Sequence, residues 1–261
     1  MTERITSAQN PKIKNLLLLQ EKSKARREQG LFVVEGRREL EHCLEGGYRI
    51  RTVFWCPEIA GPAEEAFPSA KYPLIEIPET LYRKVAYRDS TEGILAEVEA
   101  RTLGLEDLRL PENPLIVVLE SVEKPGNLGA VLRSADAAGA DAVLVCDPLT
   151  DLYNPNLIRA SIGAIFTVPT VAVSSEEAIV WLKARGIRIL TAQLQDSSLY
   201  YDYDMQGPTA LVMGTEATGL TQPWRLAADA HIRIPMLGRL DSLNVSVSTA
   251  ILLFEAVRQR S

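Results

Sequence analysis

Three polar segments in the second half of the chain each follow an apolar run and carry residue types suited to chemistry. The first is Glu120-Ser121-Val122-Glu123-Lys124-Pro125-Gly126-Asn127-Leu128-Gly129-Ala130-Val131-Leu132-Arg133. It sits where a strand should end and a helix begin, the edge at which open α/β sheets bind ligands. Gly126 and Gly129 allow backbone to approach a ligand, and a helix N-terminus favours a phosphate. The spacing is not G-x-G-x-x-G, so the dinucleotide fingerprint is missing. The second, Met213-Gly214-Thr215-Glu216-Ala217-Thr218-Gly219-Leu220, is a strand running into a glycine loop that holds a carboxylate. Gly214 there could offer backbone amides to a ligand. The third, Ile234-Pro235-Met236-Leu237-Gly238-Arg239-Leu240-Asp241-Ser242-Leu243-Asn244-Val245-Ser246, is a strand end, a polar loop and a helix start. Asp241 or Ser242 is expected to cap that helix, and Asn244 is an odd choice for an ordinary first turn.

Other chemistries have little to work with. Only His42 and His231 are present, and Cys43, Cys56 and Cys146 are far apart with no CxxC. A metal centre, a Ser-His-Asp triad and a disulfide framework are therefore not expected, and a reducing cytoplasm is the expected setting. No apolar run of membrane-spanning length occurs. Asn244-Val245-Ser246 matches a glycosylation sequon, which has no meaning in a cytoplasmic chain.

The elements that must hold these segments form an α/β pattern. Asn10-Pro11 predicts a helix start, with one helix running to about Gly30, then a strand over 31–35 and a helix over 37–44. Strands are expected at 52–55, 74–77 and 94–98, with a short helix over 81–85. The charged stretch 101–113, with Gly104 and Pro111, reads as a linker. From Leu115 the pattern restarts: strands at 115–119, 142–145, 168–173, 188–191, 210–213 and 231–234 alternate with helices such as 176–184 and 243–258. Apolar strands alternating with helices imply a mostly parallel sheet covered on both faces. The expected division is 1–100, 101–113 and 114–261.

The net charge of −6 does not suggest a nucleic-acid partner, but its distribution does. Arg4, Lys12, Lys14, Lys22, Lys24, Arg26, Arg27, Arg37 and Arg38 make the first forty residues a basic patch on an acidic chain.

Taken together and in order, the three segments resemble the signature motifs of the SpoU/TrmH family of RNA ribose methyltransferases: P-x-N-L-G with Arg six residues after the Asn, G-T-E-x-x-G-L, and I-P-M followed by S-L-N-V-S. The likeness runs through Tyr153-Asn154-Pro155 and Arg159-Ala160-Ser161, and departs slightly at Ser248 and at Ala217-Thr218. The opening Ile5-Thr6-Ser7 with Asn10-Pro11, and then Glu35-Gly36, resembles the ribosomal-protein-like RNA-binding extension of the rRNA-modifying branch. The resemblance implies a catalytic domain with a deep trefoil knot, a rare exception to general topology, preceded by a smaller α/β RNA-binding domain. It implies S-adenosylmethionine held by backbone of Gly214, Ile234, Met236 and Leu243, with no metal, and a homodimer formed through the knotted domain. It implies Arg133 as the catalytic residue, oriented with ribose and cofactor by Asn127, Glu216, Ser242 and Asn244. The substrate implied is RNA, 23S rRNA in the branch with this extension and tRNA as the alternative. Two further classes make different demands on these residues. A non-catalytic RNA-binding relative would be expected to have lost Asn127, Arg133, Glu216 or Asn244, and a dinucleotide oxidoreductase to carry the absent glycine fingerprint. The basic N-terminal unit is expected to bind RNA, so that removing residues 1–101 would spare cofactor binding but lose RNA methylation.

Overall fold

The computed structural model describes residues 3–67, 72–87, 92–215 and 218–261. In chain order its elements are β1 (Glu3–Arg4), α1 (Pro11–Glu21), α2 (Ser23–Gln29), β2 (Leu31–Glu35), α3 (Arg37–Glu45), β3 (Ile50–Trp55), α4 (Pro57–Ala60), α5 (Ala63–Ala66), β4 (Leu74–Glu76), α6 (Glu79–Val85) and β5 (Ile94–Glu99). There follow β6 (Leu115–Glu120), α7 (Pro125–Ala137), β7 (Ala142–Cys146), α8 (Pro155–Ser161), α9 (Ala164–Thr167), β8 (Thr170–Val173) and α10 (Ser175–Ala184). The chain ends with β9 (Arg188–Ala192), β10 (Ser198–Leu199), β11 (Thr209–Met213), α11 (Gln222–Ala227), β12 (Ala230–Arg233) and α12 (Val245–Arg260). It divides into two compact units: Met1–Arg101 with Asp151–Thr167, and Thr102–Thr150 with Val168–Ser261. No helix among the described residues is long and apolar enough to cross a membrane.

The first unit carries a mixed sheet in the order β1-β4-β3-β5-β2. Ile13, Leu16 and Leu19 of α1 are fully buried against Phe54, Ile75, Tyr82 and Leu95. Asn10 caps α1 by accepting from the Lys12 amide at 2.9 Å. The single helix expected up to Gly30 is instead two, because Lys22 is extended. The break has a use. It lets Arg26 turn inward, where Nη1 donates to Leu19 O at 2.7 Å and Gln20 O at 3.1 Å, carbonyls that the end of α1 would otherwise leave unpaired. Arg26 Nε also pairs with Asp151 at 2.6 Å, with side chains only 5% and 14% exposed.

This corrects the picture of the basic patch. Arg26 is an internal strut, while Arg4 pairs with Glu76, Lys12 with Glu3 and Lys24 with Glu28. Removing one partner of a buried pair leaves an uncompensated charge, so Asp151→Ala is expected to cost about 3–5 kcal/mol. A lowered urea midpoint for Asp151→Ala checks this, and an unchanged midpoint would refute it.

Asp151–Thr167 belongs to the first unit for a physical reason. Phe32 stacks on Tyr153 with ring centroids 4.2 Å apart and faces Phe166 at 5.8 Å, while Tyr48 meets Phe166 edge-on at 5.2 Å. Tyr153 Oη donates to Arg101 O at 2.5 Å and accepts from the Arg101 amide at 3.0 Å. A side chain at Gly46 would run into the backbone of Phe166.

Glu97 of β5 is 8% exposed, and burial holds its carboxyl above the usual carboxylate range despite the Asn15 amide and the charges of Arg51 and Lys12. A folded-state pKa raised above the unfolded one penalises the native state once the group is ionised, and the penalty fades in acid. Glu97→Gln, which can still accept from Asn15, is expected to raise the thermal midpoint at pH 7–8 and to lose that advantage near pH 4; the reverse trend would refute it.

The second unit is built on a parallel sheet in the order β10-β12-β9-β11-β6-β7-β8. Ile116, Val118, Leu144 and Val212 pack in one cluster with Trp181 and Leu182 of α10 and Trp224 of α11. Side chains alternate across a strand, so Val117 and Leu119, also fully buried, need cover on the opposite face; α7 and α12 pack on each other and on strands of this sheet. The stretch expected to be a linker is not a bare tether. Leu103, Leu105, Leu108 and Leu110 are partly buried against the same cluster as Trp181.

Candidate active site

The carboxyl edge of the parallel sheet brings the polar segments together. β6 and β11 are neighbours in which Leu119 pairs with Met213, so the loops that follow them leave the sheet side by side. β6 also has β7, the next strand in sequence, on its other flank. That makes β6 a topological switch point, where open sheets form a crevice beyond their strand ends. Ser121 and Asp147, each just beyond a strand end, take left-handed backbone angles with φ of 52° and 48°, an uncommon conformation for residues other than glycine.

Asn127 lies in the first turn of α7 and Asn244 caps α12. The two amides meet, Asn244 Nδ2 donating to Asn127 Oδ1 at 3.2 Å. Asn244 Oδ1 accepts from the Ser246 amide at 2.9 Å and from Ser246 Oγ at 2.6 Å. Asn244, rather than Asp241 or Ser242, is therefore the cap. That explains why an asparagine stands there: its carbonyl seals the helix while its amine reaches the first segment. Asn244→Asp keeps the acceptor and loses the donor. It is expected to cut activity at least about tenfold with the thermal midpoint little changed, whereas Asn244→Ala should also lose about 1 kcal/mol of stability. Equal activity of the parent and Asn244→Asp would remove the Asn127 contact from consideration.

Arg133 is exposed on α7, about 9 Å along the axis from Asn127. Ser242 Oγ donates to Asp241 at 3.3 Å in an exposed loop, and Leu243 is 37% exposed beside it. Ile234 and Met236 are half-buried just beyond β12. Glu216 lies outside the described residues. Gly214 has a structural cause of its own, since a Cβ there would meet the backbone of Gly219 and Leu220. The loop closes back on itself, with Thr215 and Gly219 exchanging backbone hydrogen bonds at 3.3 and 3.0 Å. The glycine that suggested ligand approach is needed first to let the loop fold.

Two residues at this edge escape motif-based reading. Glu120, 2% exposed, accepts from the amide and hydroxyl of Thr221 at 2.8 and 2.5 Å and from Ser175 Oγ at 3.4 Å, and Ser175 Oγ accepts from Trp224 Nε1 at 2.9 Å. It ties the exit of the second loop to the end of β6. The available signal was a carboxylate closing the otherwise apolar run Leu115-Ile116-Val117-Val118-Leu119. Gln193, just after β9, carries a buried Oε1 with no hydrogen-bond partner. Nothing in the sequence distinguishes it from a loop residue.

The edge combines apolar side chains with a buried acceptor, the combination that an adenosyl group requires. Ile234, Pro235 and Met236 are half-buried just beyond one strand, and Gln193 Oε1 is the buried acceptor.

The chain is similar to known proteins over both of its parts. Residues 114–254 match the model of the SpoU rRNA Methylase family, and residues 10–96 match the MRM3-like substrate binding domain. The chain is 32% identical over 88% of its length, and 84% of the relative's, to a 23S rRNA (uridine(2479)-2'-O)-methyltransferase of Streptomyces viridochromogenes. It is similar to a crystal structure of an RNA 2'-O ribose methyltransferase, with a TM-score of 0.86, 42% identity and coverage of 98% of this chain and 99% of that one. An AdoMet-bound rRNA methyltransferase from Sinorhizobium meliloti gives a TM-score of 0.89, 32% identity and coverage of 98% of both chains.

Proposed function

The chain belongs to the SpoU rRNA methylase family, and from that premise we propose that it carries a methyl group from S-adenosylmethionine to a ribose 2′-hydroxyl of 23S ribosomal RNA. The observation that carries the reading is the Asn244–Asn127 hydrogen bond, which joins the first and third segments at the sheet edge. S-adenosylmethionine supplies a methyl group already made electrophilic by its sulfonium. The remaining difficulty is the ribose hydroxyl, a poor nucleophile until its proton leaves and one that must be aligned with the methyl group.

Backbone of Gly214, Ile234, Met236 and Leu243 holds the cofactor. Asn127, Glu216, Ser242 and Asn244 orient the reacting groups. A guanidinium is a poor base but an excellent partner for a phosphate. Arg133 accordingly clamps the phosphate beside the target ribose, and the phosphate assists removal of the proton.

The first unit selects the RNA, with Lys14, Arg27 and Arg38 as exposed cations for phosphate contact. The second unit threads its C-terminal part into a trefoil knot, a reading supported by the return of α12 to pack on α7 and β11. It pairs with a second copy through α12, where Val247 and Phe254 are 47% and 49% exposed on a helical stripe with Ile251.

Mapping ribose methylation in rRNA and tRNA from cells with and without the gene tests the substrate. One 23S rRNA site is expected to lose its methyl group. Loss confined to tRNA would replace the rRNA reading with the tRNA one.

A further inference from the structure

Gln193 follows β9 at the sheet edge and stands between the two strand ends, β11 and β12, whose backbone is assigned to the cofactor. In the parallel registers Thr191 pairs with Val212 of β11 and with His231 of β12. Carried two residues on, these set Gln193 level with Gly214 on one side and Arg233, next to Ile234, on the other. The Gln193 amide N–H donates to Ile232 O at 3.0 Å, which fixes its backbone to β12. Its side-chain Nε2 donates to Gln195 O at 2.8 Å. A backbone carbonyl can only accept, so that bond decides which end of the amide is nitrogen and leaves Oε1 as the inward atom. Oε1 is buried and unpaired.

A buried carbonyl without a donor is costly and rare, and each such group calls for a partner. Its chemistry selects that partner. A neutral acceptor beside apolar strand ends suits a neutral N–H on an apolar body better than an ammonium, which favours a carboxylate or water. On the adenosyl cofactor the adenine ring is the apolar body, its ring nitrogens are acceptors, and its exocyclic amine is its hydrogen-bond donor.

We propose that Gln193 is a specificity-determining residue whose Oε1 accepts a hydrogen bond from the exocyclic amine of the cofactor's adenine. The assignment rests on the reading of this edge as the cofactor site. It makes the chain a discriminator of 6-amino from 6-oxo purines: a 6-oxo base would set carbonyl against carbonyl and leave both unpaired.

Calorimetric titration of the full chain with S-adenosylhomocysteine and with S-inosylhomocysteine, its 6-oxo analogue, tests this on the parent and on Gln193→Met. Methionine matches the length of glutamine but lacks its strong acceptor. The parent is expected to bind the 6-amino ligand about 10- to 100-fold more tightly than the 6-oxo one. Gln193→Met should lose most of that preference by weakening only the 6-amino ligand, with an unchanged thermal midpoint. Equal weakening of both ligands would mean that Gln193 merely shapes the loop, and no weakening would mean that it does not touch the base. Either result overturns the proposal while the cofactor site stands. A parent chain that binds neither ligand would overturn the site as well.

Discussion

Arg133→Ala is expected to lower ribose methylation by about 10²–10³-fold while leaving S-adenosylhomocysteine affinity within about threefold of the parent. The reason lies in where the residue stands. It is exposed on α7, so its loss creates no cavity and disturbs no core packing. What goes is a planar, charged fork able to hold a phosphate in two-point contact. Arg133→Lys keeps the charge without the fork and should recover only part of the rate. Single-turnover methylation of an rRNA fragment separates the effect from product release. A fully active Arg133→Ala would take this residue out of the mechanism, and a loss of cofactor affinity equal to the loss of rate would make it a binding residue instead.

A chain shortened to residues 102–261 is expected to be poorly soluble or partly unfolded, rather than a working cofactor-binding domain. Asp151–Thr167 is part of the first unit, and its Leu157, Ile158, Ile165 and Phe166 are at most 5% exposed in the full chain. Each buried side chain of this kind is worth about 1.5–3 kcal/mol, and whole domains are stable by only about 5–15 kcal/mol. Deleting residues 1–101 removes Phe32 and Tyr48 from Phe166 and Arg26 from Asp151. Replacing 151–167 in the shortened chain by a Gly/Ser linker of equal length should restore solubility and cofactor binding. A shortened chain that stays soluble, melts cooperatively and binds S-adenosylhomocysteine without that replacement would contradict this account.

Much of the second unit is legible in the sequence because its physics is local. Short β-branched apolar runs such as Leu115 to Leu119, alternating with helical patterns, read as strands covered on both faces, and the order of the three polar segments is plain in the chain. The first unit is less legible. A helix continuous from Pro11 to Gly30 satisfies local preference, and only the demand of Arg26 for Leu19, Gln20 and Asp151 accounts for the use made of the break at Lys22. Charge counting overstated the basic patch for the same reason, since it cannot tell a solvated arginine from one buried in an ion pair such as Arg26.

Residue order alone supplies the chemistry on offer: a parallel α/β unit, glycine loops at its strand ends, and Asn127, Arg133 and Asn244 in motif order. Which of these meet is set by the three-dimensional fold. Asn127 and Asn244 are 117 positions apart in the chain and 3.2 Å apart in space. Glu120 reaches Thr221 across 101 positions. The segment 151–167 lies inside the sequence of one unit yet packs in the other. Propensity and periodicity act over a few residues, whereas burial of polar and aromatic groups is settled by whichever partners the whole fold brings within contact, and that long-range choice leaves no local trace.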